Sequence, residues 1–218
     1  MAFMVIEGVD AVGKATQVGL LIQYFRAHGV PVETIAFPQY GAPSAYFVEE
    51  YLRGGFGPAQ SIDPCAASVF YALDRYTASR KIREWLSVGV TVVADRYVGS
   101  NLAHQGGKLS EAELRRFVEW DLEFEFNLLC IPRPNINLIL WVPLEVSLKR
   151  LELRGNLPDE HEKSVEHLRR ASEVYCWLAE EYPEDFVLVE CVSGDRELSP
   201  AEVHEKALSV LRERSVTE

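Results

Sequence analysis

Gly8-Val9-Asp10-Ala11-Val12-Gly13-Lys14 is the stretch on which the fold turns. It follows Phe3-Met4-Val5-Ile6, a short apolar run of the buried-strand type. It precedes Lys14 to His28, where Val18, Leu21, Ile22 and Phe25 recur at helical spacing. Strand, G-x-x-x-x-G-K loop and helix, in that order, form the setting in which this motif cradles phosphate. The glycines let backbone N–H groups turn inward around phosphate oxygens, the helix N-terminus adds partial positive charge, and Lys14 adds a full one. The residue after such a lysine ordinarily brings a hydroxyl to Mg²⁺. Here it is Ala15, which has no oxygen, and Thr16 behind it can hold a phosphate oxygen or a water of the metal shell. The ion is then expected to be held mainly by phosphates, waters and carboxylates, a shell that suits Mg²⁺.

Outward from this loop, strand and helix patterns alternate to the end of the chain. Gly29 and Pro31 stop the first helix, and Val32 to Ala36 reads as a second strand. A long helix is expected from Asp63 to Val88, with Asp63 as N-cap and Pro64 in its first position. Thr91 to Ala94 is a third strand and Val98 to Gln105 a short helix. Ser110 to Leu129 reads as one helix opened by a Ser110–Glu113 capping box. Asn137 to Val142 is a fourth strand, followed by a helix from Leu144 to Leu153 and a polar loop from Gly155 to Glu162. A helical face from Leu168 to Tyr182, a strand from Phe186 to Val189 and a helix from Pro200 to Arg212 complete the chain. The alternation predicts an α/β fold with a parallel sheet covered on both faces.

Ligands of such sheets bind beyond the carboxyl ends of the strands. Three unusual clusters fall there: the Gly8 loop, Phe37-Pro38-Gln39-Tyr40-Gly41, and Asp95-Arg96-Tyr97. Asp95 ends an apolar strand, the placement of a carboxylate near a bound metal, and Arg96 beside it can bind a second phosphate. Asn101 and His104 lie three apart and share a helix face, as Tyr71 and Arg75 do one turn apart. A ring that stacks on a nucleobase and a guanidinium that reaches the base edge or a phosphate is one use of the latter pair; plain core is the other for Tyr71.

Composition narrows the class. With 218 residues and 48% apolar residues, one domain with a real core is expected over residues 1–218. A net charge of -11 argues against a nucleic-acid polymer as partner, though not against a small anion. Cys65, Cys130, Cys176 and Cys191 form no CxxC pair, so reduced thiols and a cytoplasmic location are expected. No membrane association is expected: cleaving a leader at the first apolar run would destroy the glycine loop, and Leu138 to Leu144 is too short to span a bilayer.

The chain resembles thymidylate kinases along nearly its whole length. The resemblance rests on Glu7-Gly8-Val9-Asp10 through Gly13-Lys14 with Thr16-Gln17 behind, on Phe37-Pro38-Gln39-Tyr40-Gly41, on Tyr71-Ala72-Leu73-Asp74-Arg75, and on Asp95-Arg96-Tyr97-Val98-Gly99-Ser100-Asn101. It implies a P-loop NTPase fold with strand order 2-3-1-4-5, a lid around residues 150–163 and a homodimer. It implies transfer of phosphate from ATP to dTMP with Mg²⁺. ATP would lie on Gly8, Val9, Asp10, Ala11, Val12, Gly13, Lys14, Ala15 and Thr16. The metal would lie near Asp10, Asp95 and Thr16. The acceptor would meet Asp10, Phe37, Gln39, Tyr71, Arg75, Arg96, Ser100, Asn101, His104 and Gln105, with Tyr71 on the thymine ring and His104 toward the 2′ side of the sugar. The family pattern has an arginine at or near position 39, where this chain has Gln39. A catalytic cation beside Lys14 is expected from the lid flank, from Lys149, Arg150 or Arg154, because Ala11 and Val12 exclude the loop itself.

Three other readings compete. With specificity drifted at Gln39 and His104, the chain would act on another pyrimidine nucleotide or a nucleoside. Ala15 and Gln39 also suit a silent nucleotide-binding homologue. A GTPase-type switch is disfavoured because no Asn-Lys-x-Asp segment exists in the chain.

Overall fold

The computed structural model describes residues 2–154 and 165–216. Five strands form one parallel sheet: β1 (Phe3–Glu7), β2 (Val32–Ala36), β3 (Thr91–Asp95), β4 (Ile136–Trp141) and β5 (Phe186–Glu190), in the order β2-β3-β1-β4-β5. The eight α-helices among the described residues are α1 (Lys14–Ala27), α2 (Tyr46–Leu52), α3 (Pro64–Ser87), α4 (Val98–Gly106), α5 (Glu111–Leu122), α6 (Leu144–Arg154), α7 (Val165–Glu181) and α8 (Pro200–Glu213). A short antiparallel hairpin, β6 (Val192–Ser193) with β7 (Arg196–Glu197), precedes α8.

The central strand β1 is buried at all five positions, so it reads as a continuous apolar run rather than an alternating one. Helices α1 and α8 pack together over one face of the sheet, and α3, α4 and α7 over the other. Each fully buried Val, Ile or Leu side chain here contributes roughly 1.5–3 kcal/mol of transfer free energy. A second, smaller cluster of Tyr51, Ala59 and Ala67 lies under Phe70, Tyr71 and Ile62.

Register decides where the functional loops emerge. Ile6 pairs with Asp95, and Asp95 with Ala36, so β1, β3 and β2 end level with one another. Two hydrogen bonds hold the three exits together, Arg96 N–H to the Ile6 carbonyl (3.0 Å) and Phe37 N–H to the Asp95 carbonyl (2.9 Å). The strand order agrees with the expected 2-3-1-4-5. Asp63 caps α3 through Cys65 and Ala66, with Pro64 next, and the Ser110–Glu113 capping box forms.

The expected single helix from Ser110 to Leu129 is corrected. It changes at Glu123 to a π-helical stretch, Glu123–Leu128. The stretch carries Glu125, which is fully buried against Arg75. Helix α2 and the β6–β7 hairpin carry no strong periodic signal and were not expected.

Candidate active site

The loop from Gly8 to Lys14 wraps back on its own lysine. Lys14 Nζ donates to the carbonyls of Gly8 (3.0 Å) and Val9 (2.7 Å) and lies 3.8 Å from Asp10. Burial, followed by the charge of Arg96, lowers the Lys14 ammonium to a pKa of about 8. At Gly8 φ is +130°, and a Cβ there would sit 2.5 Å from the Leu140 carbonyl oxygen, so only glycine fits. From behind, Ser147 donates to the Asp10 carbonyl (2.7 Å), and Arg150 Nη1 reaches the Ala11 carbonyl (3.1 Å) while its other nitrogens grip Glu197.

Beside the loop, Arg96 has φ +66° and turns its guanidinium onto Asp10, the Gly8 carbonyl (3.2 Å) and Ser100 Oγ (3.3 Å). Burial opposes its charge, but Asp10 and the other carboxylates nearby outweigh that and hold the guanidinium firmly protonated. Under Arg96 sits Glu7, wholly buried. It accepts from Tyr97 N–H (2.8 Å), Ser100 Oγ (2.6 Å) and Tyr175 OH (2.9 Å). Burial, then Glu7, pushes the Tyr175 phenol well up, so it remains a donor. Gly99 makes room for this carboxylate: a Cβ there would lie 2.9 Å from Glu7 Oε1.

Across the rim, Arg75 is locked against Glu125 by hydrogen bonds of 2.6 and 2.5 Å and donates to the Tyr97 carbonyl at 3.3 Å. Asn101 Nδ2 donates to Asp121 (3.0 and 3.3 Å) and Glu125 (3.4 Å). Its Oδ1 is buried with no hydrogen-bond partner among the described residues, as is Gln105 Nε2. Gln105 Oε1 faces Tyr51 OH at 3.4 Å, and Lys108 donates to the same hydroxyl at 2.7 Å. His104 Nδ1 meets His167 Nε2 at 3.1 Å, with the rings stacked.

One cavity of about 370 Å³ joins these groups. Asp10, Lys14 and Thr16 line it at one end, and Tyr71, Arg75, Asn101, His104 and Gln105 at the other, with Phe37, Asp95, Arg96 and Ser100 between. It also touches Ala11, Gly13 and Ala15. The volume suits a small organic ligand. At one end it offers N–H groups and cations for phosphate; at the other, a ring, a guanidinium, an amide acceptor and an amide donor.

The match to known proteins now has a geometry to rest on. The family model described as thymidylate kinase matches residues 6–206. The chain belongs to the thymidylate kinase family. It is 36% identical over 180 residues to the thymidylate kinase of Mycobacterium tuberculosis, covering 80% of this chain and 84% of that one. It is 32% identical over 183 residues to a probable thymidylate kinase of Pyrococcus horikoshii, covering 84% of each. The solved thymidylate kinase of Candida albicans superposes with a TM-score of 0.74 over 98% of this chain and 92% of that one; at 19% identity this likeness speaks for the fold.

As a thymidylate kinase family member, the chain places most of the residues singled out from its sequence on one cavity. Gln39 stands apart. Its backbone N–H and side-chain amide bind Asp74 (2.8 and 3.0 Å), and it does not line the cavity. In this structure the buried Asp74 carboxylate holds the Gln39 amide. Arg150 reaches the phosphate loop through a carbonyl. The Arg154 side chain and residues 155–164, most of the expected lid, lie outside the described residues. Sequence reasoning gave no role to Ser147, Tyr175, Asp121, Glu125 or His167, and weighed Glu7 only as part of a motif.

Proposed function

We propose that this chain transfers the γ-phosphoryl group of ATP to the phosphate of dTMP, giving ADP and dTDP. One observation carries the reading: a single cavity runs from the Lys14 loop to Tyr71, Arg75 and Asn101. Family membership and the names borne by its relatives support the same substrate pair. The triphosphate would lie on the residues from Gly8 to Thr16, and the acceptor between Phe37, Tyr71 and Asn101.

The attacking atom is a phosphate oxygen that is already anionic, so no strong general base is needed. Catalysis then reduces to alignment and charge neutralisation. Lys14 swings from two carbonyls to the phosphates of ATP. Arg96 exchanges part of its contact with Asp10 for the acceptor phosphate, a charge-assisted pairing of the same kind. Tyr71 stacks on the base, Arg75 meets its edge, and His104 lies toward the sugar. Arg150, tethered to Glu197, is a lid-flank cation that already touches the loop at the Ala11 carbonyl.

A divalent ion fits beside this loop. Asp95 lines the cavity, and its buried Oδ1 has no hydrogen-bond partner among the described residues, as a donor to a metal's inner or outer shell would. Among the described residues no group of three His, Cys, Asp or Glu side chains stands ready for a metal. Asp95, Asp10 and the Thr16 hydroxyl would therefore hold Mg²⁺ together with phosphates and water. Bound there, Mg²⁺ neutralises charge on the transferred group.

A homodimer and a cytoplasmic setting complete the proposal. Leu73 and Tyr76 on α3 and Trp120 on α5 expose large apolar area suited to a second copy. No helix among the described residues is long and apolar enough to cross a membrane. Phosphorus NMR of ATP, Mg²⁺ and dTMP with the purified protein tests the chemistry. Resonances of ADP and dTDP rising together support it; ADP and inorganic phosphate alone would overturn it.

A further inference from the structure

Asn101 lines the cavity, and the polarity of its amide is fixed by its Nδ2 partners. Its Nδ2 points at three carboxylate oxygens, two of Asp121 and one of Glu125. A carboxylate oxygen accepts from an N–H and repels a carbonyl, so the amide cannot reverse. The carbonyl Oδ1 is left buried, without a partner among the described residues, in a side chain that lines the cavity and is 3% exposed. Asp121 and Glu125 are both fully buried, and the helix that turns π-helical at Glu123 brings them to the same side. Glu125 is engaged by Arg75 through two short hydrogen bonds, so Asp121 is the closer and less committed of the two partners.

We propose that Asp121 is a positioning residue that sets the polarity of the Asn101 amide, and so selects pyrimidines carrying a proton on ring N3. Thymine and uracil offer N3–H, a donor that matches Oδ1. Cytosine offers a lone pair at N3, which meets Oδ1 as acceptor against acceptor. A buried polar group left opposed discriminates strongly between such analogues. Burial, then the charge of Glu125, pushes the Asp121 carboxyl well above the ordinary range. Asparagine at 121 keeps a carbonyl that accepts from Asn101, whereas leucine keeps no acceptor.

The inference rests on the proposed dTMP reaction, and the experiment separates the two. Steady-state kcat/KM is measured for dTMP and dCMP with ATP–Mg²⁺, using the unmodified protein, Asp121→Leu and Asp121→Asn, with folding checked by thermal melting. The unmodified protein is expected to favour dTMP strongly. Asp121→Leu is expected to lower the dTMP/dCMP ratio at least ~10-fold, and Asp121→Asn to keep it within about 3-fold. Should the leucine variant not fold, Asp121→Ser, too short to reach Asn101, carries the same expectation. Equal losses for both acceptors, leaving the ratio unchanged, would mark a merely structural residue and overturn the inference. So would a ratio that Asp121→Asn fails to keep. An unmodified protein inactive on dTMP would instead overturn the substrate reading on which the inference stands.

Discussion

Arg75 and Glu125 meet through two hydrogen bonds, 2.6 and 2.5 Å long, with neither side chain more than 2% exposed. Removing one partner from a buried pair strands the other charge, which costs about 3–5 kcal/mol, whereas replacing both with apolar groups can be neutral. Glu125→Ala is therefore expected to lose that much stability in urea unfolding. The double variant Arg75→Met/Glu125→Leu is expected to regain most of it while remaining poor in kcat/KM for dTMP. A double variant that recovers turnover as well would show that Arg75 has no part in holding the acceptor.

Gly8 stands at φ +130° with the Leu140 carbonyl where a Cβ would go. Gly8→Ala must distort the first turn of the phosphate loop. We expect a loss of at least about 2 kcal/mol in stability, and ATP binding too weak to follow by calorimetry. Unaltered binding in the alanine variant would mean the loop relaxes without moving its N–H groups.

Lys14 gives a proton signature. With its pKa near 8 in the free protein, it is partly neutral above that pH, and a bound triphosphate favours the charged form. ATP binding should take up a proton between pH 8 and 10, and affinity should fall as pH rises through that window. Calorimetry in buffers of different ionisation enthalpy reads the uptake directly. Lys108, also lowered to about 8 by burial but bonded to Tyr51 and Ala59, serves as control: Lys108→Gln should leave the uptake unchanged. Lys14→Ala should lower turnover at least ~100-fold if charge stabilisation dominates.

His167 is pushed down to a pKa of about 4 by burial and then by Lys108, against 6.5 when unfolded. The unfolded chain thus binds the extra proton first, and stability is lost as pH falls from about 6.5 toward 4. The shift corresponds to up to about 3 kcal/mol. His167→Gln should flatten the dependence of stability on pH across that range. An identical acid limb in the variant would place the sensitivity elsewhere.

The fold was legible because its signals are local. Val92-Val93-Ala94 and Phe3-Met4-Val5-Ile6 can be little else than buried strands, and Gly8 to Lys14 fixes what lies between strand and helix. The rim was legible because parallel strands end together. What stayed hidden depends on partners distant in sequence. Asp121 and Glu125 lie four apart among other charges and carry no signal until Arg75 arrives from fifty residues away. The π-helical turn has no periodicity of its own, so Ser110 to Leu129 looked uniform. The strand end put Gln39 on the rim and the family resemblance put it near the acceptor, but the direction of its amide in this structure is set by Asp74 on another element. His167 gave no sign, because a histidine on an amphipathic helix declares its neighbour only when α4 packs against α7.

The most direct test of the account is the rate of ADP release from ATP–Mg²⁺ across dTMP, dUMP, UMP, CMP, dCMP, thymidine and no acceptor. The account predicts fast turnover with dTMP, weaker turnover with dUMP, and little with cytosine nucleotides, thymidine or water. No turnover with any acceptor despite ATP binding, or a preference for thymidine over dTMP, would contradict it.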